Sequence, residues 1–233
     1  MNDNFATQKR LPSAVIFDLD GTLVDSALDL TAALNHILNQ EGRISIENDL
    51  IHHMVGQGAR ALIIKGMDHT GTVPDDKEID RILQNYLDYY LANITTKTVT
   101  FDGVEAVLSA LKEMKIPLGV CTNKVTNLTV SILKGLNIEH YFDAVTCGDS
   151  FTYRKPDPRH LLSTCKMINA DPGYAIMVGD SANDIDAATD ANMSTIGVTF
   201  GYTPIPMDQL GADHIIDHYS EFMIAMRKIT ARF

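Results

Sequence analysis

The chain has 233 residues, of which 45% are hydrophobic and 21% are charged, as is typical of a globular protein with a substantial core. Its formal net charge of −11 disfavours nucleic acid and anionic membrane surfaces as partners. A polar start at residues 1–4 without the pattern of a secretory signal, no apolar run of membrane-spanning length and three widely spaced cysteines together predict a cytoplasmic protein.

The first half of the chain predicts one strand followed by helices. The apolar run of residues 14–17 is the strand. Helical periodicity then predicts three helices, at about residues 26–40, after Gly58 and up to about residue 93. No convincing strand follows before residue 117, and this interval is several times longer than a parallel crossover needs. We therefore predict a helical cap, residues 26–94, inserted into a catalytic α/β core of residues 1–25 and 95–233.

The second half of the chain alternates helices with short apolar strands. Asp102 and Glu105 resemble a capping box at the start of the first of these helices, and Asp157 precedes Pro158 as a helix N-cap does. The predicted strands lie at residues 117–121, 144–146, 175–178, 195–198 and 215–216. This alternation predicts an α/β fold with a doubly wound parallel sheet, a Rossmann-like core that carries the all-helical cap.

Three of the predicted strands end in polar residues, which a parallel sheet gathers at one edge. Residues two apart in a strand point the same way, so Asp18 and Asp20 leave the first strand toward one space, and Gly21 permits a sharp turn. Two carboxylates so close need a cation or a proton, the condition under which one can act as nucleophile and the other as acid/base. The other polar groups expected at this edge are Thr122, Asn123, Lys155 and Asp180.

These residues resemble, in order, the four motifs of the haloacid dehalogenase-like hydrolases. The matching segments are Asp18-Leu19-Asp20-Gly21-Thr22, Thr122, Lys155 and Gly179-Asp180-Ser181-Ala182-Asn183-Asp184. The resemblance is greatest to the bacterial phosphoglycolate phosphatase branch, through Cys121-Thr122-Asn123-Lys124, Lys155-Pro156-Asp157-Pro158 and Val55-Gly56-Gln57-Gly58-Ala59. It covers nearly the whole chain, including a helical cap inserted after the first motif.

The resemblance implies a two-step phosphoryl transfer that depends on Mg²⁺. Asp18 would attack phosphorus, and Asp20 would protonate the leaving group and later accept a proton from water. Asp18, the backbone carbonyl of Asp20 and Asp180 would hold Mg²⁺, with Asp184 supporting the ion indirectly. The groups that would bind the substrate's phosphoryl oxygens are Thr122 and Lys155, with Asn123 in the same substrate site.

The implied substrate is a small phosphorylated metabolite, with 2-phosphoglycolate the first choice, and we expect a monomer or a homodimer. Two alternative enzymes carry the same motifs. One is a phosphatase of another small metabolite, such as a sugar phosphate, a nucleotide or pyrophosphate, and the other is a sugar-phosphate mutase. A non-enzymatic binding protein on the same scaffold is a third alternative, although the expected catalytic groups are all present in the sequence.

The site residues of the core also have purely structural interpretations. Thr122 can cap the helix that follows it, and Asp180 and Asp184 can cap the helix near residue 183. Lys155 can be a solvated loop charge. The ordered occurrence of these residues with the two acids of the first motif favours the functional interpretation.

The predicted cap contains one candidate substrate residue. Residues 56–61 formally match a dinucleotide fingerprint, but the sequence before them is a poor strand. We expect instead a loop leading into a helix whose free N–H groups can bind an anion, with Arg60 pairing a substrate carboxylate. The alternative is a tight turn beside a solvated Arg60.

Overall fold

A six-stranded parallel sheet forms the centre of the computed structural model, which describes residues 11–233. The expectation for the start of the chain, residues 1–4, lies outside the described residues. The strands are β1 (Ala14–Phe17), β2 (Val24–Asp25), β3 (Val99–Thr100), β4 (Leu118–Cys121), β5 (Ala144–Thr146), β6 (Ala175–Gly179), β7 (Ser194–Val198) and β8 (His214–Ile216). The sheet has the order β5-β4-β1-β6-β7-β8, which places β1 between β4 and β6.

Helices cover both faces of this sheet. They are α1 (Ala27–Gln40), α2 (Ala59–Thr70), α3 (Asp76–Ala92), α4 (Val104–Glu113), α5 (Thr126–Gly135), α6 (Pro158–Met167), α7 (Ala182–Asp190) and α8 (Phe222–Thr230). Alternate residues of β1 belong to two hydrophobic clusters: Val15 and Phe17 to one, Ala14 and Ile16 to the other. Strands buried on both faces are what a doubly wound sheet requires, so the predicted fold class is confirmed.

The helices α1, α2 and α3 lie between β1 and β4 in the chain and pack on one another through α3. No described residue between Phe17 and Leu118 belongs to the six-stranded sheet. The short strands β2 and β3 pair antiparallel on either side of these helices in the chain. Sequence analysis missed this pair because two residues carry no readable periodicity. The exact cap boundaries, 26–94, stay a prediction.

Two helix starts test the predicted caps. Asp157 accepts a hydrogen bond from the Arg159 backbone N–H at 3.0 Å, which confirms it as the cap of α6. The capping box at Asp102 is wrong, because α4 begins after Gly103, whose φ of 85° is left-handed. The Asp102 carboxylate lies 3.2 Å from Nε2 of His218 instead.

No helix among the described residues combines the length and the apolar character needed to cross a membrane.

Candidate active site

The carboxyl ends of β1, β4 and β6 border a cavity of about 650 Å³, which residues of α2 and α3 line from the other side. Strands of a parallel sheet end at the same edge, so three segments far apart in sequence meet here. All the predicted site residues line this cavity: Asp18, Asp20, Arg60, Thr122, Asn123, Lys155, Asp180 and Asp184.

Lys155 lies between two carboxylates at the floor of the cavity. Its Nζ is 2.9 Å from Oδ1 of Asp18 and 2.5 Å from Oδ1 of Asp184. The lysine side chain is only 1% exposed, so the interpretation of Lys155 as a solvated loop charge is wrong. An ammonium buried this deeply requires the negative partners that the structure provides.

Burial and mutual repulsion shift the ionisation of these acids. Burial raises the pKa of Asp18 to about 6, and the charge of Asp184 adds to the rise while Lys155 opposes it. Burial also raises the pKa of Asp180 well above its usual value, again with repulsion from Asp184 and Asp18. Burial would lower the pKa of Lys155, but attraction by Asp18 and Asp184 outweighs it and raises this pKa. One lysine facing three acids cannot balance all of their charges, so the group favours a bound cation or a shared proton.

The acids themselves fit a divalent cation. One oxygen each of Asp18, Asp180 and Asp184 lies within 4.8 Å of the others, and Mg²⁺ prefers such oxygen ligands. Both oxygens of Asp184 already have partners in the structure. Oδ1 contacts Lys155, and Oδ2 accepts hydrogen bonds from the N–H and the hydroxyl of Ser181 at 3.1 and 2.7 Å. The last two bonds are the helix cap considered from sequence, so Asp184 both caps α7 and pairs with the lysine.

The Asp180 carboxylate accepts hydrogen bonds from two different loops. Oδ2 accepts a hydrogen bond from the Tyr202 N–H at 2.7 Å, and Oδ1 accepts one from the Thr22 hydroxyl at 3.3 Å. A Cβ atom at Gly21 or at Gly201 would collide with this side chain. Gly21 also has a left-handed φ of 84°, so the glycine after Asp20 is needed both for the turn and for the close approach.

The Asp20 side chain lies outside this group of acids and has its own partners. Nζ of Lys124 is 2.9 Å from Oδ1 and 2.8 Å from Oδ2, and the Ser26 hydroxyl donates to Oδ1 at 2.5 Å. Sequence analysis missed both partners. Lys124 directly follows the Thr122-Asn123 motif, but adjacency to a strand end does not reveal which acid a lysine reaches.

Thr122 and Asn123 follow β4 and lie at the cavity wall. The buried Thr122 side chain accepts a hydrogen bond from the Lys124 N–H at 3.2 Å through Oγ1, which leaves its hydroxyl proton available to a ligand. Nδ2 of Asn123 donates to the Lys155 carbonyl at 2.9 Å and makes a long contact of 3.5 Å with the Gly56 carbonyl. Asn123 therefore links the lysine loop of the core to the glycine loop before α2.

Arg60 stands apart from the other predicted site residues. Its side chain is 41% exposed, and its guanidinium pairs with Asp76 at 2.8 Å and with Asp80 at 3.4 Å. The dinucleotide interpretation of this segment fails, because Asn48–His53 forms a 3-10 helix and not a strand. The interpretation of Arg60 as a substrate residue stays a prediction.

Residues 15–198 match the family described as haloacid dehalogenase-like hydrolase. The chain belongs to the haloacid dehalogenase-like hydrolase family. It is 42% identical over 220 residues to the phosphoglycolate phosphatase of Agrobacterium fabrum, a match that covers 94% of each chain. It is 41% identical over 207 residues to that of Caulobacter vibrioides, covering 89% of this chain and 87% of the relative.

A solved structure has the same fold over nearly its whole length. It is the crystal structure of a predicted phosphoglycolate phosphatase from Haemophilus somnus, with a TM-score of 0.87 and 31% sequence identity over 94% of this chain and 97% of that one. The resemblance to the phosphoglycolate phosphatase branch of the hydrolases, predicted from the motifs, is therefore confirmed.

Proposed function

We propose that this chain is a Mg²⁺-dependent phosphatase that hydrolyses a small phosphomonoester, 2-phosphoglycolate, to glycolate and phosphate. The observation that carries the proposal is the ion-paired group in which the buried Lys155 contacts both Asp18, which follows β1, and Asp184 of α7. The names of the relatives at 42% and 41% identity support the choice of substrate. The helical cap, residues 26–94, covers the cavity in which this small molecule reacts.

Asp18 is the nucleophile in this proposal, and Asp20 is the acid and the base. A carboxylate oxygen of Asp18 attacks phosphorus, the bond from phosphorus to the ester oxygen breaks, and an aspartyl-phosphate forms. Asp20 gives its carboxyl proton to the departing oxygen, so that glycolate leaves with a hydroxyl group. Water then attacks the aspartyl-phosphate, Asp20 takes a proton from this water, and the bond to Asp18 breaks to release phosphate.

The remaining residues bind the phosphoryl group and neutralise its negative charge. Lys155 and the Thr122 hydroxyl donate to the phosphoryl oxygens, on which negative charge is spread during transfer, and Asn123 holds the lysine loop in place. Mg²⁺ would be held by Asp18, the backbone carbonyl of Asp20 and Asp180, with Asp184 supporting the ion indirectly and pairing with Lys155. When bound, the ion supplies positive charge against the acids and the phosphoryl oxygens.

The proposal is tested by product analysis with 2-phosphoglycolate. With Mg²⁺ we expect glycolate and phosphate in equal amounts, and we expect EDTA to stop their release. Asp18→Asn keeps the shape of the side chain but removes the nucleophile, so kcat should fall by about 10⁴-fold or more. The matched control is Asp68→Asn, an exposed position in α2, which should keep the wild-type kcat.

Two results would contradict separate parts of the proposal. Persistent activity in Asp18→Asn would contradict the assignment of Asp18 as the nucleophile. Hydrolysis of an aryl phosphate without hydrolysis of 2-phosphoglycolate would support phosphatase activity but contradict 2-phosphoglycolate as the substrate.

A further inference from the structure

Lys124 is a cation in the reaction cavity to which the proposed mechanism gives no role. Its side chain is only 7% exposed. Nζ contacts both oxygens of Asp20, lies 3.1 Å from the Tyr90 hydroxyl and is 4.8 Å from the centre of the Tyr90 ring. Tyr90 belongs to α3, so Lys124 is fixed at the point where the core loop after β4 meets the helical layer above it.

This position coincides with the place where a carboxylate on the substrate has to lie. Asp20 hydrogen-bonds to the ester oxygen when it protonates the leaving group. When a carboxylate sits on the carbon that bears the ester oxygen, ordinary bond lengths put its oxygens about 3 Å from that ester oxygen. An ammonium in contact with Asp20 is therefore within reach of the same carboxylate. One of its protons can serve both oxygens of Asp20, which leaves another for the ligand.

Tyr86 provides a second, independent observation at the same wall. Its side chain lines the cavity, and its ring centre is 5.8 Å from that of Tyr90. The Tyr86 hydroxyl is buried and has no hydrogen-bond partner in the part of the chain that the structure describes. Buried hydroxyl groups are normally paired, so this oxygen indicates a missing acceptor.

We propose that Lys124 and Tyr86 form the subsite for a substrate carboxylate next to the ester oxygen, and so determine specificity for phosphate esters of 2-hydroxy acids. This inference rests on the proposed function and refines its choice of substrate. An ester without that carboxylate leaves a buried ammonium and a buried hydroxyl without their partner, which disfavours its binding.

The test compares 2-phosphoglycolate with 2-hydroxyethyl phosphate, which has a similar size but lacks the carboxylate. Lys124→Met should lower kcat/KM for 2-phosphoglycolate about 10- to 100-fold more than for 2-hydroxyethyl phosphate, since a charged hydrogen bond is lost for only one of them. Tyr86→Phe should produce a selective loss of about tenfold, mainly through KM. Lys124→Arg should restore part of the preference.

The matched control is Lys65→Met, a second lysine at the cavity, whose Nζ contacts the carbonyls of His53 and Met54. This variant should change kcat/KM for both esters by the same factor. Thermal unfolding of each variant identifies those that do not fold, and the Tyr86→Phe result then carries the test, because this change removes a single oxygen atom.

Three results would overturn the inference, and they are distinguishable. Equal losses for both esters in Lys124→Met and Tyr86→Phe would mean that Lys124 only positions Asp20. If Lys65→Met, and not Lys124→Met, lowered kcat/KM selectively for 2-phosphoglycolate, the carboxylate would bind near Lys65 instead. A wild-type enzyme that hydrolyses 2-hydroxyethyl phosphate but not 2-phosphoglycolate would reject the proposed substrate itself, and the subsite with it.

Discussion

The core side and the cap side of the cavity hold their charges differently. On the core side, Lys155 is 1% exposed and lies between two carboxylates. On the cap side, Arg60 is 41% exposed, and its partners Asp76 and Asp80 are exposed as well. Buried ion pairs depend strongly on each partner, whereas exposed pairs contribute little to stability. The charges on the core side are therefore fixed by burial, whereas the ion pairs on the cap side contribute little to stability.

Removal of the buried Lys155 ammonium should have the largest effect on stability. Lys155→Met leaves the buried Asp184 and the mostly buried Asp18 without their common partner, so the free energy of unfolding in EDTA should fall by about 3–5 kcal/mol. Mg²⁺ should restore part of this loss, because it supplies charge to the same acids. Urea denaturation with and without Mg²⁺ measures both effects.

The matched control for this change is Lys134→Met. Lys134 pairs with Glu139 at 3.9 Å on the surface, and its loss should cost less than about 1 kcal/mol. Similar losses of unfolding free energy in the two lysine variants would show that a buried ion pair contributes no more to stability than an exposed one.

The junction between the two sides should give an intermediate effect. The Tyr202 hydroxyl accepts hydrogen bonds from the N–H groups of Ser26 at 2.6 Å and Ala27 at 3.1 Å, and donates one to Asp25 at 2.8 Å. Tyr202→Phe leaves the buried Ser26 N–H unpaired, while the Ala27 N–H keeps its bond to Asp25, so the free energy of unfolding should fall by about 1–3 kcal/mol. Urea denaturation and amide exchange at the start of α1 measure the change.

Tyr174→Phe serves as the control, since Tyr174 is exposed and its hydroxyl should contribute less than about 0.5 kcal/mol. Unchanged amide exchange at Ser26 and Ala27 in Tyr202→Phe would argue against a junction that depends on this hydroxyl.

The smallest effect on stability is expected on the cap side. Arg60→Ala removes two exposed ion pairs, so the free energy of unfolding should change by less than about 1 kcal/mol in urea denaturation. The same variant tests the sequence-based prediction that Arg60 pairs with the substrate carboxylate. That prediction requires KM for 2-phosphoglycolate to rise more than KM for an uncharged aryl phosphate, and equal changes would contradict it.

Much of the fold was readable from local patterns. The continuous apolar run before Asp18 predicts a strand buried on both faces, and the helical stripes of α1 and α3 predict helices through a period of about 3.6 residues. The missed pair of β2 and β3 is too short for such a pattern, and the failed cap at Asp102 depended on the left-handed conformation of Gly103.

The sequence by itself determined that Asp18, Thr122 and Asp180 reach the cavity, because the strands of a parallel sheet deliver their carboxyl ends to one edge. It could not determine how those groups pair. The contact of Lys124 with Asp20 spans 104 positions in the chain, and that of Tyr202 with Asp25 spans 177. Such pairings depend on the distances between separately folded segments and on the side-chain rotamers that packing allows, so only the tertiary structure decided them.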